Sequence, residues 1–128
     1  MTTDNQQESG PIKMVLQEYK EGIGKFRKKM PEIAKKYNAF TEACFAPGKL
    51  SEKQKQLIAL AISVVAQDEY CIVFHTKACR DQGAEEKEIL EALSVAAGFG
   101  GGAAMSQGVT LVLEAISEFN EGQTQHTQ

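Results

Sequence analysis

Two residues that could do chemistry together, Cys71 and His75, lie four positions apart in a segment with helical periodicity. Residues i and i+4 are about 40° apart around an α-helix, so their side chains share one face. An imidazole can accept the proton of a neighbouring thiol. In the first turn of a helix, the dipole and the free N–H groups also favour a thiolate. The spacing therefore predicts a cysteine that can act as a nucleophile.

The residues directly before Cys71 act in the opposite direction. Asp68 and Glu69 carry carboxylates, which oppose ionisation of a nearby thiol. Asp68 is also placed to be the N-cap of the helix, because its side chain can accept a hydrogen bond from the N–H near Cys71. Asp68 is thus predicted to have a structural role at least as strongly as a catalytic one.

The run from Tyr70 to Ala78, which contains Cys71 and His75, resembles the signature helix of the carboxymuconolactone decarboxylase and alkylhydroperoxidase D family. The upstream run from Pro47 to Lys53 resembles the start of the preceding helix in that family. This resemblance implies an all-α fold and a homo-oligomer, either a trimer or a hexamer. It also implies an antioxidant, peroxiredoxin-like thiol peroxidase or a disulfide oxidoreductase.

The chain departs from the peroxidase branch of that family at two positions. That branch has a glutamate on the preceding helix, then a Cys-x-x-Cys pair, then a histidine. The second cysteine and the histidine correspond to Cys71 and His75, whereas the first cysteine corresponds to Asp68 and the glutamate to Gln56. The resemblance therefore implies a catalytic set of Cys71, His75, Asp68 and Gln56. An aspartate forms no disulfide, and an amide cannot relay a proton as a carboxylate does.

An oxidised Cys71 would need a thiol from elsewhere. Cys79 is eight residues further along the predicted helix, about 12 Å up its axis, which exceeds the roughly 7 Å Cα limit of a disulfide. The thiol that reacts with oxidised Cys71 must therefore be Cys44, a cysteine of another subunit or an external thiol reductant. Both Cys44 and Cys79 are predicted to be small core residues. Three cysteines without an export signal indicate reduced thiols.

Two other functions remain open at this stage. In a carboxymuconolactone decarboxylase-type lyase, His75 would donate or accept the proton and Cys71 would only pack. The sequence has no arginine cluster near the site to hold a carboxylate substrate, and Arg80 is the nearest candidate. In a non-catalytic oligomeric binding protein, Gln56 and Asp68 would be signs of lost chemistry. The candidate substrates are accordingly a peroxide, a disulfide or a lactone.

The composition predicts one globular domain, since the chain has 128 residues, of which 42% are hydrophobic and 24% charged. A net charge of −3 gives no general attraction to nucleic acid or to an anionic membrane. No apolar run reaches the roughly 18 residues of a membrane span, and no signal peptide is recognisable, so a cytoplasmic location is predicted. No spacing typical of a metal site or of a nucleotide cofactor is present.

Apolar periodicity predicts about six helices in a domain of residues 11–120, between flexible tails at 1–10 and 121–128. Ser51 and Gln54 form a capping-box pattern before a helix from Glu52 to about Ala66. That helix is apolar around most of its circumference and should be central and buried. Small residues from Gly98 onward should let helices approach closely. The helix from Pro31 to Cys44 should bury a stripe that includes Ile33, Ala34, Tyr37 and Phe40.

Overall fold

The computed structural model describes the backbone of residues 2–127 and the side chains of residues 10–122. Regular structure in this range is entirely helical, which confirms the predicted all-α fold. Met1 and Gln128 lie outside the described residues. The elements are α1 (Thr2–Lys29), α2 (Pro31–Phe45), α3 (Glu52–Ala66), α4 (Glu69–Asp81), α5 (Glu86–Gly100), α6 (Gly102–Gln107), a π-helical segment (Gly108–Val112) and α7 (Leu113–Thr127).

The last three elements form one continuous rod. Gly108 and Leu113, at the two junctions, both have right-handed helical backbone angles. A single residue, Gly101 with φ 78°, separates this rod from α5. The sixth helical rod therefore begins at Gly102, whereas apolar residues with helical spacing begin in the sequence only at Val109.

The predicted domain start at residue 11 coincides with a break in α1. Gly10 has φ 52° and ψ 162°, so the helical segments on its two sides are not collinear. The backbone is helical before this break and continues as helix to Thr127 at the other end. The flexibility of the two terminal segments stays a prediction.

Helix α3 has the bounds that its sequence predicts. The side chain of Ser51 accepts a hydrogen bond from the Gln54 backbone N–H, and the Gln54 side chain accepts one from the Ser51 N–H. The helix packs against both α4 and α5, and Leu60 and Val64 are completely buried. Its central position is therefore confirmed. The main core consists of Leu60, Val64, Ile72, Cys79, Ala84, Ile89, Leu93, Ala96, Ala104, Val112 and Ile116.

Helix α4 is buried on two sides. Ile72 belongs to the main core, while Val73 packs with Ile12 of α1 and Ala115 of α7 in a second, smaller core. Two adjacent residues are thus held by different neighbours, which fixes the rotation of α4 about its axis. Cys71 and His75, between these contacts and solvent, are both half-buried.

The predicted inward stripe of α2 is wrong. Only Ala34 is buried, whereas Ile33, Tyr37 and Phe40 are 52%, 55% and 66% exposed. Helix α2 packs more extensively against α1 than against α3. In the part of the chain that the structure describes, no other helix packs extensively on its outer side. Cys44, predicted to be a core residue, is exposed for the same reason.

The expected close approach of helices at small residues is confirmed at Gly100. A Cβ atom there would lie 3.1 Å from Cγ2 of Val65 on α3, which is closer than ordinary packing allows. Gly108 makes a similar approach to Leu93, at 3.3 Å from Cδ1. None of the described helices is both long and apolar enough to cross a membrane.

Candidate functional site

The packing of α3 against α4 brings Gln56 and His75 together. The Oε1 atom of Gln56 lies 2.7 Å from Nδ1 of His75, and Gln56 is only 8% exposed. An amide oxygen can only accept a hydrogen bond, so in this orientation Nδ1 carries the ring proton. The other ring nitrogen, Nε2, then has the lone pair and can accept a proton.

Two aromatic rings surround the imidazole of His75. The ring of Phe45, at the end of α2, is nearly parallel to it at 5.7 Å between centroids. The ring of Phe74 meets it edge-on at 5.0 Å and 87°. Burial in this environment lowers the pKa of His75 from its ordinary value of 6.5. His75 is therefore neutral at pH 7 and can act as a base.

Cys71 lies in the first turn of α4, beside the residue that caps the helix. Its backbone N–H donates to Oδ1 of Asp68 at 3.0 Å, so the predicted N-cap is confirmed. The pKa of the thiol is raised above its ordinary value, first by burial and then by the charge of Asp68 and the hydrogen bond to its carboxylate. The carboxylate and burial together outweigh the helix dipole, and the thiol of Cys71 is protonated at neutral pH.

The four residues of the predicted catalytic set form two pairs. Cys71 interacts with Asp68, and His75 with Gln56. Cys71 and His75 are one turn apart on α4, as their spacing requires, but no hydrogen bond joins their side chains within residues 10–122. A proton can pass from the thiol to Nε2 only through a bridging molecule or after a side-chain rotation.

Three neighbours of His75 carry little signal in the sequence. From periodicity, Gln56 is an ordinary polar position on an amphipathic helix, and only the family resemblance drew attention to it. Phe74 directly precedes His75 and therefore lies about 100° away from it around α4. Phe45 is the last residue of α2, thirty residues before His75. Their contacts with His75 depend on how three helices meet.

The remaining candidates are outside this site. Cys79 is fully buried, and burial, together with the charge of Glu88, raises its pKa to about 12, so its predicted core role is confirmed. All three cysteines are free thiols. Arg80 donates hydrogen bonds to the carbonyl of Ala84 and to the side chain of Asn120, which ties α4 to α7. No group of three metal-ligating side chains occurs among the described residues.

We predict that replacing Asp68 with asparagine lowers the pKa of Cys71. Asparagine caps a helix as well as aspartate does, but it removes the charge that opposes the thiolate. Alkylation of Cys71 by iodoacetamide at pH 7.5 should become about threefold to tenfold faster, since one pKa unit changes the thiolate fraction tenfold. The exposed Cys44 is replaced by serine throughout, so that the pH–rate profile reports Cys71 alone.

The matched control is Glu69→Gln, which makes the same charge change one residue later. Because Glu69 is not among the causes that raise the pKa of Cys71, this variant should have almost the wild-type profile. Identical profiles for Asp68→Asn and the unmodified chain would show that Asp68 does not hold the thiol protonated.

Comparison with known proteins agrees with the all-helical fold. Residues 31–114 match the carboxymuconolactone decarboxylase family. An uncharacterised protein of the cox locus of Paracoccus denitrificans is 44% identical over 66 residues, which are 52% of this chain and 60% of that relative. The chain thus spans less than two thirds of that relative's length.

Two solved structures share the fold. A carboxymuconolactone decarboxylase family protein from Legionella pneumophila is 32% identical, with a TM-score of 0.77 over 86% of this chain and 95% of that one. A family member from Thermotoga maritima, for which involvement in an antioxidative response has been suggested, is 26% identical, with a TM-score of 0.68 over 84% of this chain and 97% of that one. With most of its residues matched to the family and its fold shared with two members, this chain belongs to the carboxymuconolactone decarboxylase family.

Proposed function

We propose that this protein is a thiol-dependent peroxidase in which Cys71 is the nucleophile and His75 the general base. The observation that carries the proposal is the 2.7 Å contact between Gln56 Oε1 and His75 Nδ1. It holds a neutral imidazole with Nε2 as the basic nitrogen, one helical turn from a half-buried thiol. The suggested antioxidative role of the Thermotoga maritima relative supports the same reaction class.

The chemical step is the reduction of a hydroperoxide. The sulfur of Cys71 attacks the terminal oxygen, the O–O bond breaks, and the alkoxide or hydroxide leaves. His75 accepts the thiol proton, through the peroxide or a water between the two side chains, and returns it to the leaving oxygen. The products are a sulfenic acid on Cys71 and an alcohol or water, so that atoms and electrons balance.

A base is needed here because the thiol does not ionise readily by itself. Its raised pKa leaves little thiolate at neutral pH. The reaction should therefore be slower than with a low-pKa thiol, and it should accelerate as the pH approaches that of thiol ionisation. In this respect the chain differs from the Cys-x-x-Cys peroxidases that it resembles.

Regeneration of Cys71 uses thiols from outside the site. Asp68 occupies the position of the usual resolving cysteine, and Cys79 is fully buried. One external thiol condenses with the sulfenic acid and releases water, and a second thiol then reduces the mixed disulfide. A dithiol supplies both equivalents.

The test is peroxide consumption by the purified protein with a dithiol as reductant. Cys71→Ser should abolish turnover, because a hydroxyl has no comparable nucleophilicity toward peroxide. Cys44→Ser is the matched control and should retain turnover, with a sulfenic-acid probe labelling only Cys71. Equal turnover by Cys71→Ser and the unmodified chain would refute the proposal.

A second candidate, a lyase that uses His75 alone, is favoured by the raised pKa of Cys71. In this reaction His75 would first take up a proton at Nε2 and then donate it to the carbon from which carbon dioxide has left. The thiol would only pack. Arg80 is engaged with Asn120, so it is not placed to hold a substrate carboxylate. Retained turnover of a lactone acid by Cys71→Ser, together with its loss in His75→Ala, would select this function.

We also propose that the protein is a homo-oligomer that works in a reducing compartment such as the cytoplasm. Large apolar side chains are exposed on the outer side of α2 and near the junction of α5 and α6, where Phe99 is 86% exposed. A second copy could cover such faces. Three free thiols are consistent with reducing surroundings. Sedimentation analysis would give the number of subunits.

A further inference from the structure

An open groove of about 550 Å³ lies between α1 and α4, beside the Cys71–His75 site but not lined by either residue. Three aromatic side chains form one wall. The rings of Tyr19 and Tyr70 are stacked at 3.8 Å and 11°, and the ring of Phe74 follows at 5.6 Å from Tyr70. Leu16 and Ile23 of α1 extend the apolar lining. The volume is within the range of small-molecule sites, roughly 300 to 1,000 Å³.

The charges around this groove are mostly positive. Lys13 and Lys20 of α1 and Lys77 of α4 line it, and Asp81 is the acidic residue of the lining. Asp81 pairs with Lys77 at 2.8 Å, so the charges of these two residues compensate each other. Lys20 is an exposed cation in the lining. The groove therefore combines an apolar, aromatic wall with a cation, in a chain whose net charge is −3.

We propose that this groove binds a small amphipathic carboxylate, such as a medium-chain fatty acid. The apolar tail would lie along the aromatic wall, and the carboxylate would face the lysines, with Lys20 as the main partner. A groove that has both a cation and an apolar wall in its lining recognises an anionic amphiphile better than a neutral or cationic one. This site is independent of the proposed thiol chemistry.

The groove is nevertheless coupled to the candidate catalytic residues through Phe74. This ring borders the groove and also meets the imidazole of His75 edge-on at 5.0 Å. A ligand that displaces Phe74 would therefore change the surroundings of His75.

The tyrosines provide an intrinsic probe of occupancy. The chain has no tryptophan and three tyrosines. Tyr19 and Tyr70 line the groove, and Tyr37 is close enough to contribute to the raised pKa of both. Titration with decanoate, below its micelle concentration, should change the tyrosine fluorescence and saturate at one site per chain. Decanol and decyltrimethylammonium, which lack the negative charge, should bind more weakly.

Two variants and a matched control locate the binding. Lys20→Glu reverses an exposed charge in the groove and should weaken decanoate binding about threefold to tenfold. Lys87→Glu makes the same change on α5, away from the groove, and should leave it unchanged. Ala78→Phe, which fills the groove at α4, should abolish saturable binding. Calorimetry on the same variants checks that the fluorescence change reports binding.

Several outcomes would overturn the proposal. If Lys20→Glu and Lys87→Glu bind decanoate with the same affinity as the unmodified chain, decanoate binds outside the groove. If no saturable binding is seen, the groove does not bind decanoate. Binding confined to anionic phospholipid vesicles would indicate a membrane surface as the partner. A fluorescence change that follows protein concentration and not decanoate would assign the groove to a contact between copies of the chain.

Discussion

Replacing His75 with alanine should slow the oxidation of Cys71 by peroxide about a hundredfold at pH 7, the lower end of what a general base contributes. His75 is held by Gln56 with Nε2 unprotonated, and the thiol has a raised pKa. Without the imidazole, little thiolate is available at this pH. The measurement is the rate of sulfenic-acid formation on Cys71, followed by mass spectrometry in a Cys44→Ser background.

The pH dependence separates a base from a packing role. As the pH rises toward the raised pKa of the thiol, hydroxide ionises Cys71 directly, so the defect of His75→Ala should become steadily smaller. In the unmodified chain, activity should persist below pH 6.5, because burial lowers the pKa of His75 and keeps it neutral there. A defect of the same size at pH 7 and pH 10 would contradict the base role.

The Gln56→Leu variant tests whether the amide orients the base. Leucine is similar in size and fills the buried position, but it cannot accept the Nδ1 proton. Turnover should fall less than in His75→Ala, and the acid limb of the pH profile should shift, since the ring loses its hydrogen-bond partner. An unchanged profile would show that Gln56 only packs.

Replacing Leu60 with alanine should destabilise the fold by about 2–5 kcal/mol, the usual cost of such a cavity. Leu60 is completely buried on the central helix α3 and belongs to the main core. This is a large part of the roughly 5–15 kcal/mol by which domains are stable. Urea unfolding followed by circular dichroism gives the difference in the free energy of unfolding.

Ile62→Ala is the control on the same helix. Ile62 is 63% exposed, so its truncation should cost no more than about 0.5 kcal/mol in the isolated subunit. If Ile62→Ala lowers the free energy of unfolding as much as Leu60→Ala does, another copy of the chain covers the Ile62 side of α3. A loss below about 1 kcal/mol for Leu60→Ala would contradict its place in the core.

Local signals in the sequence were sufficient to predict much of the helical fold. The Ser51–Gln54 capping box and the Asp68 N-cap depend on hydrogen bonds within a few residues. The start of the last rod at Gly102 was missed, because glycines carry no apolar periodicity. Helix α6 packs against α5 and buries Ala104, and these contacts exist only in the folded chain.

Burial of α2 was predicted incorrectly for a different reason. Periodicity shows that Ile33, Tyr37 and Phe40 share a face, but not whether a neighbour covers it. Among the described side chains, none covers these three residues enough to bury them. The same pattern is compatible with an internal core and with a contact between copies, and only the tertiary structure distinguishes them.

The sequence by itself determined that Cys71 and His75 share one face at the start of a helix, because the spacing of i and i+4 requires it. The tertiary structure decided the hydrogen-bond partner and the burial of each of these two side chains. Packing of α3 on α4 turns Nδ1 of His75 toward Gln56, nineteen residues earlier, while the thiol remains with Asp68. Hydrogen-bond partners and burial depend on how helices meet, and these two properties set the direction in which the pKa of each group is shifted.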